Sequence, residues 1–171
     1  VGGMAGTVFA KLMRMNDGER QRCPRSSIQP RLALVDLDEV KTLIAARLIT
    51  PDAEGLHNAM FRGPVCVVAA LLGFSPAQGR AISALTADFV ACLSPLSDQA
   101  QLAAAQTAAE QLNGYFIELL DDPHNRSALL AGIRQRFAAT EATPQTLIAN
   151  LIGLFSQTYD ATAGLIGNTL L

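Results

Sequence analysis

Aromatic and charged residues are both scarce in this chain. Of its 171 residues, 5% are aromatic, none is tryptophan, and 16% are charged, whereas about a quarter of a typical soluble domain is charged. The formal net charge is −2. Because proteins that bind nucleic acids need a surplus of Lys and Arg to neutralise phosphates, we expect no nucleic-acid partner.

Cysteine is also rare, and the three residues are scattered: Cys23, Cys66 and Cys92, without a Cys-x-x-Cys pair. This odd, dispersed set argues against a disulfide framework and against a structural zinc site. The stretch 1–13 lacks the basic segment that precedes the apolar part of a signal peptide. We therefore expect a cytoplasmic protein.

Strand patterns are missing as well, since β-branched runs are short and strict polar–apolar alternation does not persist. Alanine and leucine dominate, and hydrophobic residues make up 50% of the chain. Gly, Pro and turn residues divide the sequence into about seven helical segments, with no low-complexity linker and no repeat. The sequence predicts an all-α fold in which residues 1–171 belong to one domain.

Capping residues and prolines predict the ends of several helices. A basic helix begins at about Glu19, is interrupted by Pro24 and ends at Pro30. The segment 63–73 is apolar all round and should be buried, with Pro64 in its first turn. The remaining predicted caps are Asp36 before an amphipathic helix at 37–49, Ser75 before 76–93, Ser97 before a helix ending at 120, Ser127 before a helix ending at 138, and Thr143 before the last helix.

The last helix, 143–171, is unusually long and places its small and polar side chains in a sector of about 120°. We call this sector the small-residue stripe. The apolar side chains lie opposite and should meet the core. The stripe comprises Asn150, Gly153, Gln157, Asp160, Ala161, Gly164, Gly167 and Asn168.

Three interpretations of the small-residue stripe compete. It could pack tightly against another helix through Gly153, Ala161 and Gly164. It could belong to a transmembrane helix, but Asp160 at mid-span would cost about 2.5–3.5 kcal/mol, so we expect no membrane. It could instead face a substrate or cofactor pocket, in which an inward Asp160 would handle protons. Because the helix reaches residue 171 without a cap, we also interpret the chain as part of a longer protein.

The segment 157–168 resembles the long central helix of cytochromes P-450, whose pattern is Ala/Gly-Gly-x-Asp/Glu-Thr-Thr/Ser. Asp160 matches the acid and Thr162 the second hydroxyl, and 165–168 matches the Leu-Ile-Gly-Asn run that often follows. Gln157 and Thr158 replace the Ala/Gly-Gly pair. Ala161 replaces the first threonine, which usually helps to deliver protons to iron-bound oxygen. A variant oxygenation, a peroxide-driven reaction and a water-mediated relay through Asp160 therefore remain as alternatives.

A second segment, 16–25, resembles the bacterial Asp-x-x-x-His-x-x-x-Arg segment that holds a haem propionate in the same family. Arg25 matches the arginine, whose guanidinium suits a carboxylate, and Gln21 replaces the histidine. Without the resemblance, Arg20, Arg22 and Arg25 would equally fit a solvated basic helix. The segment 63–73 is similar to the family's buried helix between these two motifs.

The resemblance implies part of a single catalytic domain of a haem b monooxygenase, ending in the long central helix. Such an enzyme inserts oxygen from O2 into a small organic substrate, with electrons from a ferredoxin or flavodoxin-type donor. It makes Asp160 and Thr162 catalytic candidates, and its cofactor-binding candidates are Gln21, Arg25, Gln157, Ala161 and Gly164.

In the family, the Glu-x-x-Arg pair and the cysteine loop both follow the long central helix, so the resemblance places them beyond Leu171. The axial cysteine is therefore expected beyond Leu171, and we expect the chain to be inactive alone. The alternative is a non-enzymatic helical binding or scaffold module, in which the small-residue stripe docks a partner helix.

Overall fold

A computed structural model describes residues 2–46 and 53–169, and within these ranges the chain forms helices and no strand. The all-α prediction is confirmed. The π-helical turn Asn58–Arg62 joins α4 to α5 without a break, so the described ranges hold eight helical rods, close to the expected seven. The helices are α1 (Gly3–Lys11), α2 (Glu19–Leu32), α3 (Leu37–Ala45), α4 (Ala53–His57), α5 (Gly63–Leu71), α6 (Pro76–Ala91), α7 (Gln99–Asp121), α8 (Ala128–Phe137) and α9 (Pro144–Thr169), with a 3-10 turn at Met13–Met15.

Most predicted caps are confirmed. Ser75 and Gln78 form a reciprocal capping box at the start of α6, and the side chains of Asp36 and Ser127 accept backbone N–H bonds at α3 and α8. The prediction for Ser97 was wrong, because Asp98 caps α7. The Ser97 hydroxyl instead donates to the carbonyl of Ala91, the last residue of α6, and to that of Ser94 in the turn that follows. Ser and Asp are comparably good caps, so their order in the chain could not distinguish them.

The predicted effect of the prolines in α2 was also wrong, because one helix runs through both Pro24 and Pro30. Pro30 has no N–H, so the carbonyl of Ser26 lacks its usual partner one turn later. The Nε of Arg136, on α8, donates to that carbonyl at 3.1 Å. A tertiary hydrogen bond thus replaces the one that proline removes, and α8 packs along α2 at this point.

The N-terminal half of α9 is the centre of the core, with α1, α5, α6 and α7 packed around it. Residues 147–153 are all buried. The ring of Phe155 lies 5.3 Å from that of Phe116 and 6.4 Å from that of Phe74. The predicted burial of the segment at 63–73 is confirmed for its inward face, where Val65, Val67 and Ala69 are buried.

The predicted amphipathic helix begins at Leu37, as α3, but its apolar face is not buried in the core among the residues described. None of its side chains is buried, and Leu37 and Ile44 are 71% and 43% exposed. The described helix ends at Ala45, and the rest of the predicted helix, at 47–49, lies outside the described residues. None of the described helices is long and apolar enough to cross a membrane.

The amide of Asn150, buried on α9, ties the N-terminal segment to the core. Its Oδ1 accepts from the N–H of Met13 at 2.7 Å, and its Nδ2 donates to the carbonyls of Lys11 and Thr146 at 2.9 and 2.8 Å. The Met13 and Lys11 groups lie where α1 ends, and neither has a helical partner there. The Asn150 amide therefore supplies hydrogen-bond partners for the Lys11 carbonyl and the Met13 N–H, the two backbone groups at the end of α1.

We predict that Asn150→Ala destabilises the protein by about 2–4 kcal/mol, since it leaves a backbone donor and an acceptor unpaired in a protected site. The free energy of unfolding in urea, with helix content followed by circular dichroism, measures this. Asn168→Ala makes the same change at an exposed position of α9 and should cost little. Equal losses in the two variants would contradict the role given to Asn150.

Candidate functional site

The small-residue stripe of α9 divides into a covered part and an open part. In the covered part, Leu12 lies across Gly153, where an added Cβ would be only 2.6 Å from Cδ2 of Leu12. Asn150 holds the same crossing segment through Met13. The tight-packing interpretation is therefore correct for the first turns of the stripe, although the packed segment is the junction after α1 and not another long helix.

The open part of the stripe begins one turn later. Gln157, Asp160, Ala161 and Gly164 are all exposed. A Cβ added at Gly164 would meet no described atom within 4 Å. The tight-packing interpretation is thus wrong for Ala161 and Gly164, and so is the expectation of an inward, buried Asp160. The stripe presents a shallow surface of small side chains with one acid on it.

Asp160 is exposed to solvent on one side and lies against protein on the other. Partial burial raises the pKa of its carboxyl above the ordinary value, and the positive charge of Arg14 opposes that shift. Arg14 belongs to the 3-10 turn that follows Leu12. Sequence reasoning did not single out Arg14, because only the crossing of this turn over α9 brings it near Asp160.

The side chains flanking Asp160 point elsewhere. Thr162 is half-buried, and its hydroxyl has no hydrogen-bond partner among the described residues, unlike Thr158, which donates to the carbonyl of Leu154 at 2.8 Å. Tyr159 is buried, with its ring 5.1 Å from that of Phe61. Burial raises the pKa of Tyr159, Arg62 lowers it, and the negative charge of Asp160 raises it again. The acid on the stripe thus also acts electrostatically on the core side of α9.

Gln21 and Arg25 lie one turn apart on α2, so they share a face of that helix. Gln21 is half-buried, and Arg25 is exposed with its Nε donating to Oε1 of Gln29 at 2.8 Å. Helix α2 makes few contacts with α9 but packs on the 3-10 turn that carries Arg14. That turn therefore links the two motifs that resemble the P-450 family.

The residues present fit part of a haem site. Small exposed side chains at 161 and 164, with open space at Gly164, would allow a flat ring to approach α9 closely. Arg25 is free of carboxylate partners in the described part of the chain, so it could pair with a propionate. Among the described residues, no group of three or more His, Cys, Asp or Glu side chains could hold a metal ion.

None of the three cysteines fits the role of an axial ligand. Cys92 is buried, and burial raises the pKa of its thiol, which disfavours the thiolate. The thiol of Cys66 is directed to the carbonyl of Gly79 at 3.5 Å. Cys23 is half-buried within α2. The two histidines, His57 at the end of α4 and His124 in the turn after α7, are exposed.

A scan of the chain against known protein families matches no family model, and a search of curated proteins finds no significant match.

We predict that Arg14→Gln raises the pKa of Asp160 further, because it removes the positive charge that opposes the effect of burial. A pKa raised by folding means that the protonated carboxyl favours the folded state, and this contribution is lost as pH rises through the folded-state pKa. Titration of the Asp160 side-chain carboxyl by NMR measures the shift. Arg80→Gln, the same change on α6, is the control. An unchanged or lower pKa of Asp160 in the Arg14→Gln variant would contradict the electrostatic effect assigned to Arg14.

Proposed function

We propose that this chain belongs to a cytoplasmic haem monooxygenase of the cytochrome P-450 type. In this proposal it forms the long helix on the oxygen-binding side of the haem and the segment that binds a haem propionate. The observation that carries the proposal is the open part of the small-residue stripe on α9, where an acid stands beside side chains small enough for a flat ring to approach. The ordered resemblance of 16–25, 63–73 and 157–168 to this family supports it. The chain does not supply the axial ligand in this proposal.

When bound, haem would supply the activation of O2, using electrons from a ferredoxin or flavodoxin-type donor, for oxygen insertion into a small organic substrate. The chain's own residues then have three tasks. Ala161 and Gly164 leave room along α9, and Gln157, one turn before Ala161, offers an amide at the edge of that space. Arg25, with Gln21 one turn away, binds a propionate carboxylate through its guanidinium.

Asp160 is the residue that handles protons in this proposal. Its carboxyl is exposed on the stripe and has a raised pKa, so an oxygen of the group can accept a proton from solvent and release it towards the space beside Ala161. Arg14 limits the rise in pKa, which keeps the carboxyl able to release the proton again. Ala161 itself has no hydroxyl, so it cannot perform the task of the threonine that it replaces.

A non-enzymatic scaffold is the second candidate, and one observation favours it. Leu165, at the edge of the stripe, is 65% exposed, and small residues flanked by leucine suit a close-packed partner helix. In that case the stripe would bury a helix of another protein, and Asp160 would need a cationic or hydrogen-bonding partner there.

The visible spectrum distinguishes the two candidates. The longest product of the gene that contains these residues should be purified with haem, reduced and saturated with carbon monoxide. Our proposal expects the red-shifted Soret band of a thiolate-ligated haem. Residues 1–171 alone, titrated with haemin, should not give this band, because none of their cysteines fits the ligand role. Absence of the band from the longer product would refute the proposed function and favour the scaffold.

In the haem-loaded parent protein, we predict that Asp160→Asn lowers substrate turnover by about 10²–10⁴-fold while haem content is unchanged. Thr162→Val should cost little, because Thr162 lies away from the open stripe and is half-buried. Product formation per O2 consumed is the measurement. If Thr162→Val uncouples O2 consumption from product while Asp160→Asn remains near wild type, Thr162 is the proton-handling residue and our assignment is reversed.

A further inference from the structure

A cleft between α2 and α8 lies outside the proposed haem site. It has a volume of about 490 Å³ and opens to solvent. Six of its lining residues carry polar side chains: Ser26, Ser27, Arg31, Gln135, Arg136 and Thr140. The lining contains two guanidinium groups and no carboxylate, so its charge is positive.

Arg31 carries the strongest signal in this cleft. Its Nε is the only buried side-chain nitrogen or oxygen in the described part of the chain that has no hydrogen-bond partner. A buried donor without a partner costs free energy, and such groups are rare in folded proteins. The guanidinium lies against Gly132 of α8, where an added Cβ would be 2.7 Å from Nε. The absence of a side chain at 132 therefore makes the space that Arg31 occupies.

Arg136 lies on the other side of the cleft. Its Nε donates to the carbonyl of Ser26 at 3.1 Å, the group that Pro30 leaves without a helical partner. This bond uses one of its five N–H groups. The terminal nitrogens have no partner in the described residues, and neither arginine takes part in the ion pairs found there, which join Arg22 to Glu19 and Lys41 to Asp38.

The hydroxyl groups of the cleft do not compete with the arginines as donors to a ligand, because their hydrogens already bond to backbone carbonyls. Those of Ser26 and Ser27 donate to the carbonyl of Cys23, and that of Thr140 donates to the carbonyl of Phe137. Arg31 and Arg136 both stand near the C-terminal ends of their helices, where a cation is favoured by the helix dipole. The helix dipole therefore explains why two cationic side chains stand at these helix ends. It does not supply a hydrogen-bond acceptor for the buried Nε of Arg31.

We propose that this cleft binds an oxyanion, the phosphate or carboxylate group of a small molecule, between Arg31 and Arg136. A planar guanidinium donates parallel N–H bonds to such a group, and the terminal nitrogens of Arg31 and Arg136 are the donors that an anion in the cleft would meet. The cleft volume lies within the range of small-molecule sites. The inference uses no residue of the proposed haem site, so it stands or fails independently of the proposed function.

Titration of the full chain with inorganic phosphate and, separately, with acetate tests the proposal. The readout is the NMR signal of the Arg31 Nε–H together with the backbone amides of Gln135 and Thr140. Sodium chloride at matched ionic strength is the control for screening. Saturable shifts with phosphate or acetate, but not with chloride, are expected, and the anion that binds more tightly identifies the chemical source.

Variants connect the binding to the two guanidinium groups. Arg31→Gln and Arg136→Gln should each weaken anion binding about tenfold or more, because each removes a charge-assisted hydrogen bond. Arg134→Gln, on the same helix as Arg136 but outside the cleft lining, should leave affinity unchanged. If Arg31→Gln does not fold, Arg136→Gln, at an exposed position, decides the question. Shifts equal to those with chloride, no saturation, or equal weakening in Arg134→Gln would overturn the proposal.

Discussion

The hydrogen bonds of Asn150 determine where the N-terminal segment crosses α9, and the candidate site depends on that crossing. They fix the residues on both sides of Leu12, whose side chain then lies over Gly153. The segment continues directly into the 3-10 turn that carries Arg14. Because the crossing is early on α9, it covers the first turns of the small-residue stripe and leaves Gln157, Asp160 and Gly164 open.

The two parts of the stripe look alike in sequence but differ in environment. Both combine glycine with a polar side chain, and helical periodicity places them in one sector. Periodicity gives the direction of a side chain and not what lies opposite to it, so the sequence alone left tight packing, a membrane helix and a pocket as alternatives. The tight-packing interpretation is correct for Gly153, which is packed by the chain itself, whereas Gly164 faces open space.

The same distinction between local and long-range information explains which predictions succeeded. Caps at Asp36, Ser75 and Ser127 were predictable because a side chain bonds to a backbone group two or three residues away. The continuity of α2 through Pro30 was not predictable, because the bond that compensates for it comes from Arg136, more than a hundred residues later. The exposure of α3 could not be foreseen either, since an amphipathic pattern predicts an apolar face but not the surface that covers it.

The proline in α2 has a consequence for the cleft that helix propensity alone does not suggest. An interior proline normally costs a helix about 3 kcal/mol or more, partly through the carbonyl that it leaves unpaired. Here that carbonyl, on Ser26, orients Arg136 at the cleft, while the missing side chain of Gly132 admits the guanidinium of Arg31. The hydrogen bond from Arg136 satisfies the carbonyl of Ser26, but no described group accepts a hydrogen bond from the buried Nε of Arg31. A helix that needed only stability would be served as well by alanine at 30 and a short polar residue at 31. The arrangement makes physical sense if the two positive groups have an anion to share.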